Sequence, residues 1–193
     1  MMNYDTIRQK LQSALSPKRY KHTLGVVQVS QELGSIYGMD KEKIFLSALL
    51  HDCAKDMPVN TKARLCKEYH IPLDSFMRDD IELCHSFLGA EIAKREYNIL
   101  DREILDAIRY HTTGRAHMTK LEKIIYLADY IEPNRENFEG LETVRRLSYE
   151  NLDKAVIFAL INTIEYIKNN KKTLHPLTLQ ALDYLTSKKE EKN

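Results

Sequence analysis

The sequence predicts an all-α domain, and three observations carry that prediction. Only 6 Gly and 5 Pro punctuate 193 residues, isoleucines recur at three- and four-residue intervals instead of alternating with polar neighbours, and capping residues stand ahead of the apolar-periodic stretches. A chain of this length fits one domain and is long enough to bury roughly 70% of its unfolded surface. No repeat, linker or low-complexity block divides it.

The elements follow from caps and periodicity. Ser16-Pro17 is an N-cap with proline in the first helical turn, opening a helix that turns His22, Val26, Val29, Leu33 and Ile36 inward and ends at Gly38. The segment KEKIFLSALLHDCAKDMP is apolar on nearly all sides and carries His51 and Asp52 in its last turns before Pro58. Further helices are expected at about 61–70, 83–97 and 101–111, and at about 120–131, where Thr119 and Glu122 have capping-box spacing and Pro133 enforces a stop. Two amphipathic helices at about 151–168 and 177–187 close the chain, the first built on Leu152, Ala155, Val156, Ala159, Leu160, Ile164 and Ile167. The terminal SKKEEKN reads as a solvated, fraying charge run.

Composition excludes several classes. Apolar residues make up 43% and charged residues 30%, and 29 Lys+Arg balance 28 Asp+Glu. With no apolar run near the 18 residues that span a bilayer, neither a membrane partner nor a disordered tail is expected. Near-neutral charge without a basic, aromatic-interleaved stripe gives no footprint for nucleic acid. The first residues do not resemble a secretory signal, so a cytoplasmic location is expected. Cys53, Cys66 and Cys84 are odd in number and form no CxxC pair, which speaks against a disulfide framework and against a thiolate zinc site.

The chemistry is legible in where the histidines fall. His22 precedes Val26 and Val29, His85 precedes Leu88 and Ile92, His111 follows Ile104 and Ile108, and Asp129 lies one turn beyond Ile125. With His51 and Asp52 these make six candidate ligands on five segments, directed at the core side. Burying so many ionisable groups without a common partner would cost several kcal/mol, a cost that a metal ion offsets. Histidine and carboxylate without thiolate suit iron, manganese, zinc or magnesium in a hydrolytic site with open positions, where the expected chemistry is activation of water. Arg19, Lys55 and Arg135 flank these ligands and are candidates to face a phosphate chain. The HTTGRA stretch offers hydroxyls and backbone amides suited to phosphate or to an ordinary polar loop, and Arg115 within it has the weakest claim.

The order His22, His51-Asp52, Asp129 on helices resembles the HD superfamily of metal-dependent phosphohydrolases. More closely, KRYKHTLGV, ALLHDCAKDMP, CHSFLGAEIA, IRYHTTG, KIIYLADYIEPNR and LHPLTLQALDYL resemble the YqeK family, over roughly residues 3–187. That resemblance implies a single HD domain, its HD core at about 16–135 and C-terminal helices at about 141–187 completing a nucleotide site. It implies a symmetrical bis(5′-nucleosyl)-tetraphosphatase that splits diadenosine tetraphosphate into two ADP, with iron held by His22, His51, Asp52 and Asp129. It places Arg19, the turn Asp52, Cys53, Ala54 and Lys55, His85, His111, Thr112, Asp129 and Arg135 at the phosphates and sugar. It also implies that Thr173, Leu174, His175, Pro176, Leu177 and Thr178 close over the nucleotide, and ADP or GDP is the expected product-like ligand.

In relatives that hold two metals, histidines like His85 and His111 help bind the second ion, and signalling-dinucleotide phosphodiesterases add another histidine where this chain has Thr112. One tightly held metal is therefore expected, with a weak second metal seen with substrate as the alternative. His85 and His111 are then left to bind phosphate or protonate the leaving group near a pKa of roughly 6.5. The expected mechanism is attack on phosphorus by water that the ion activates to hydroxide, with Asp52, Lys55, His85 and His111 as catalytic residues. Cys53, in a strongly apolar helix, reads as a packed residue by itself. The alternatives are another HD-type nucleotide phosphohydrolase, such as a nucleotidase or deoxynucleoside triphosphatase, and a nonenzymatic nucleotide-binding regulatory module. Eleven tyrosines on amphipathic helices suit a homodimer or a monomer alike.

Overall fold

The computed structural model describes residues 4–190, and of residues 188–190 the backbone alone. It is all-helical, as expected, with no strand among the described residues. The helices are α1 (Tyr4–Ala14), α2 (Pro17–Ile36), α3 (Lys41–Leu50), α4 (Val59–Glu68), α5 (Ser75–Asp79), α6 (His85–Glu96), α7 (Arg102–Tyr110), α8 (Lys120–Ile131), α9 (Leu141–Glu150), α10 (Leu152–Asn169) and α11 (Pro176–Glu190), with a 3-10 helix at Ile81–Cys84.

Capping chemistry sets most of the starts. The hydroxyl of Ser16 accepts from Arg19 N–H, the Asp40 carboxylate from Lys43 N–H, the Asp101 carboxylate from Glu103 N–H and the Thr119 hydroxyl from Glu122 N–H. Each satisfies a donor that the first helical turn leaves unpaired. Caps and periodicity did not place three helices, although the family resemblance implied C-terminal helices from about residue 141. In α1, Ile7 and Leu11 are fully buried one turn apart, a stripe too short to stand out. The helix α5 has five residues. The start of α9 carries no side-chain cap, because Gly140 occupies that place at φ 87°. At the charged end α11 runs to Glu190, and the rest of the SKKEEKN run lies outside the described residues.

The helices α2, α3, α6, α7 and α8 pack against one another as the bundle that surrounds the site, and α10 lies on α8 with α9 and α11 packed against it. The core is one cluster that includes Val26, Leu33, Leu46, Leu49, Leu88, Ile108, Leu121, Ile125, Val156 and Leu160. One inward assignment fails. Ile36 is 54% exposed, and the inner position in that last turn belongs to Tyr37, whose hydroxyl donates to Ser148 O at 2.8 Å.

Two loop features matter for the site. Arg145 of α9 reaches back to the end of α8, donating to Ile131 O and Glu132 O, each at 3.2 Å, which supplies partners for carbonyls that the helix end exposes. Gly114, at φ 66°, sits where a Cβ would approach Ala181 Cβ to 3.3 Å, so the HTTGRA loop packs directly on α11.

Candidate metal centre

Three of the site histidines stand at helix ends, and the helix ends aim them. His51, His85 and His111 are the C-cap residues of α3, the 3-10 helix and α7. Each donates its Nδ1 proton to the carbonyl three residues back: Ala48 O at 2.7 Å, Glu82 O at 2.6 Å and Ile108 O at 2.7 Å. Carbonyls in the last turn of a helix lack the full set of intrahelical partners, although Glu82 O also takes the backbone N–H of His85. A histidine that donates to such a carbonyl has its tautomer settled, with the lone pair on Nε2. The fourth, His22, lies in α2 and turns Nδ1 to the Glu132 carboxylate at 3.2 Å. All four rings therefore present Nε2 to the same buried space.

The Asp52 carboxylate divides that space. Its Oδ2 lies 3.5 Å from His51 Nε2 and 3.8 Å from His22 Nε2, while its Oδ1 lies 3.3 Å from His85 Nε2 and 3.4 Å from His111 Nε2. Asp129, in the last turn of α8, places Oδ1 3.0 Å from His22 Nε2. His22, His51 and Asp129 form one group of mutually close donor atoms, and His51, Asp52 and His111 form another.

These donors fit a divalent metal. Among the described residues, His22 Nε2, His51 Nε2 and Asp52 Oδ1 are buried without a hydrogen-bond partner, a state that costs free energy unless a cation takes the lone pairs. Charge balance agrees. Burial alone would raise the Asp52 pKa, but the surrounding imidazoles hold it well below the usual carboxylate range. Burial likewise opposes ionisation of Asp129, and Arg135 with His22 outweighs it. His22 is lowered by burial and raised more strongly by Asp129 and Asp52, so its net shift is upward.

Burial, together with Lys55 and His111, pushes the His85 pKa down to about 4 against the pull of Asp52. With its Nδ1 proton directed at Glu82 O, His85 offers Nε2 as a lone-pair donor in the metal-free site.

The flanking residues fall as follows. Arg19 Nη1 is 2.7 Å from Asp52 Oδ2 and Arg135 Nη2 is 2.8 Å from Asp129 Oδ1, so both arginines brace ligand carboxylates from the partly open side. Lys55 Nζ lies 3.5 Å from His85 Nδ1 and 3.8 Å from Glu82 Oε2. Thr112 Oγ1 is 3.2 Å from His85 Nε2 and 3.1 Å from His111 Nε2. Cys53 and Ala54 are core residues, Cys53 Sγ lying 3.5 Å from Gly89 O with its thiol pKa raised by burial. All three cysteines are free. Arg115 is committed elsewhere, bonding Glu122 through Nε at 2.8 Å and Nη2 at 2.6 Å beneath the Tyr110 ring.

The segment 173–178 packs on aromatic rings of α6 and α7 through His175 and Phe87. His175 donates Nε2–H to Asp74 Oδ2 at 2.8 Å and accepts Leu177 N–H on Nδ1 at 3.2 Å, so both ring nitrogens are used in joining α11 to α5. Its ring centroid is 6.5 Å from that of Phe87, which meets Tyr110 edge-on at 5.9 Å. Phe87 and Tyr110 adjoin His85 and His111 in sequence, whereas Thr173, Leu174, Pro176 and Leu177 are part-buried around His175 and Thr178 is buried. Sequence reasoning missed Glu132, whose only signal was a carboxylate directly before the helix-stopping Pro133.

A model of the HD domain matches residues 19–134, a span that contains all four histidines and both aspartates. This chain belongs to the HD domain family. The symmetrical bis(5′-nucleosyl)-tetraphosphatase of Halalkalibacterium halodurans is 40% identical over 95% of this chain and 97% of its own length. The protein of the same name from Bacillus subtilis is 37% identical over 96% of this chain and 99% of its own. A crystal structure of a predicted HD superfamily hydrolase involved in NAD metabolism, from Clostridium acetobutylicum, superposes with a TM-score of 0.93 at 40% identity, covering 97% of this chain and 99% of that one. The HD match ends before α9, but these similarities run on through α9–α11, so the C-terminal helices belong to the shared architecture around the HD core. Among the described residues no helix is long and apolar enough to cross a membrane.

Proposed function

We propose that this HD protein is a cytoplasmic, metal-dependent hydrolase that cleaves diadenosine tetraphosphate symmetrically into two ADP, with ADP or GDP as product-like ligand. The observation that carries the reading is the division of Asp52, one oxygen turned to His22 and His51 and the other to His85 and His111. The full-length likeness to proteins named as symmetrical tetraphosphatases supports the choice of substrate.

His22, His51, Asp52 and Asp129 would hold the tight metal, iron by family likeness, with manganese, zinc or magnesium also suited to such donors. When bound, the ion supplies a lowered pKa for water and Lewis acidity toward a phosphoryl oxygen. The chain's own groups do the rest. Arg19, Lys55 and Arg135 offset the charge of the polyphosphate and fix which phosphorus lies against the centre, and positioning with charge stabilisation supplies most of the catalysis in phosphoryl transfer. His85 and His111, braced through Nδ1 on backbone carbonyls, both turn Nε2 to the interior. That favours them as donors to a weaker second cation arriving with substrate. The 173–178 segment, seated against Phe87, closes the nucleotide end.

The test is separation of the products formed from diadenosine tetraphosphate, with NAD as a second substrate because of the solved relative's description. The panel contains the metal-assayed protein and its His51→Ala and Asp52→Ala variants. ADP alone, lost in both variants, is the expected result. AMP with ATP would place the attack at the outer phosphorus and overturn the symmetrical reading. Cleavage of NAD without cleavage of the tetraphosphate would move the assignment to another nucleotide phosphohydrolase.

A further inference from the structure

The Glu132 carboxylate is buried at 2% exposure, yet among the described residues it has no lysine or arginine side chain within salt-bridge distance. Its Oε1 takes the Nδ1 proton of His22 at 3.2 Å. Its Oε2 accepts two hydrogen bonds from Asn134, from the backbone N–H at 2.7 Å and from Nδ2 at 2.9 Å. The backbone is pinned too, since Glu132 O accepts from Arg135 N at 3.1 Å and from Arg145 Nη2 at 3.2 Å. Pro133 enforces the extended conformation that Glu132 adopts, at ψ 151°, because a residue before proline avoids helical geometry.

Room for this carboxylate comes from α2. A Cβ at Gly25, one helical turn after His22, would lie 2.4 Å from Glu132 Oε2 and 3.0 Å from Asn134 Nδ2, closer than atoms approach. Gly25 therefore carries no side chain at the one place where α2 must admit a carboxylate beneath its own histidine. The pattern His22-x-x-Gly25 on one helix and Glu132-Pro-Asn134 after another forms a single unit.

We infer that Glu132, held by Asn134 and admitted by Gly25, is a positioning residue for the metal centre, fixing the His22 ring so that Nε2 faces the ion. A carboxylate on the far nitrogen of a ligating imidazole fixes its orientation and raises its basicity, and loss of such a partner typically weakens metal binding by about 10- to 100-fold. Glu132 touches neither substrate nor reacting atoms. The inference rests on the reading of His22 as a metal ligand.

The experiment compares metal dissociation constants, by chelator competition, for the wild-type protein and the variants Glu132→Gln, Gly25→Ala, Gly34→Ala and His51→Ala. The His22 Nδ1–H resonance is followed in the metal-free proteins. Glu132→Gln keeps the shape but removes the charge, and Gly25→Ala displaces the carboxylate without altering it. Gly34→Ala crowds Ile44 from the same helix and controls for strain in α2. Affinity lower by about 10- to 100-fold in Glu132→Gln and Gly25→Ala, with a shifted Nδ1–H resonance and with Gly34→Ala at the wild-type value, is expected. Wild-type affinity and an unmoved resonance in Glu132→Gln, with His51→Ala unable to bind metal, would overturn the inference and leave the metal centre standing. Equal loss in Gly34→Ala would reduce Glu132 to a packing residue. No difference between wild type and His51→Ala would remove the metal centre and the inference together.

Discussion

His85 Nε2 and His111 Nε2 face each other at 3.3 Å, although both rings have given their protons to backbone carbonyls on the other side. Two lone pairs at this separation repel unless a proton or a cation lies between them or a donor serves one of them. Among the described residues, Thr112 is placed to do the latter, its hydroxyl lying within 3.2 Å of both. Helix geometry thus brings two acceptors together, and one hydroxyl partly relieves them.

Thr112→Val tests that relief. The variant keeps the volume and removes the donor, leaving buried acceptors unpaired. Stability of the metal-free protein is expected to fall by about 1–3 kcal/mol, measured by urea denaturation. An unchanged midpoint would mean that the two rings find another donor.

Asp52→Asn addresses the shared carboxylate. The amide keeps the size of the side chain while removing the charge that faces His22, His51, His85, His111 and Arg19. Metal affinity is expected to fall by more than the about 10- to 100-fold that loss of a supporting partner costs, and turnover is expected to vanish with it. Titration with metal followed by isothermal calorimetry checks the first, and product formation the second.

His85 predicts a pH dependence. An unfolded chain takes up this proton near the ordinary histidine pKa of about 6.5, whereas the folded, metal-free site refuses it until about pH 4. Below pH 6.5 the unfolded state therefore binds more protons, and stability is lost as pH falls from 6.5 toward 4, by about 3 kcal/mol in all. His22, whose pKa is raised, acts in the opposite sense. The difference in unfolding free energy between metal-free wild type and His85→Gln isolates the effect, and it should shrink steadily between pH 7 and pH 4.

Arg115→Met separates structure from chemistry within the HTTGRA loop. Glu122 is 1% exposed and relies on the two-pronged Arg115 contact, so its charge is left poorly compensated in the variant. A loss of about 2–3 kcal/mol is expected, seen as a lower melting temperature, with metal affinity at the wild-type value. Reduced metal affinity at full stability would instead bring Arg115 into the site.

The helix starts at Ser16 and Thr119 were legible from the capping residues themselves. The start of α9 carries no such signal, because Gly140 marks it through a left-handed turn packed so closely on α10 that a Cβ would lie 2.4 Å from Asn162 Nδ2. That closeness exists only between folded helices. Ile36 shows the same limit from the other side, since periodicity assigns a face to every turn but cannot say where the covering helices stop.

For the site, the sequence by itself determined the kind of centre. Imidazoles and carboxylates recur at the core-facing positions of several helices, and six motif segments stand in family order. What only the tertiary structure decided is how these groups share their protons and charges. Helix ends at Leu50, Cys84 and Tyr110 leave carbonyls that turn three histidines inward. Glu132 differs in the chain from its exposed neighbours Glu136 and Glu139 only in preceding Pro133, and it becomes the partner of His22 because the end of α8 folds against Gly25 of α2. A side chain's protonation and orientation depend on what lies within a few ångströms of it, and for residues 110 positions apart, as His22 and Glu132 are, only the packing of helices settles that.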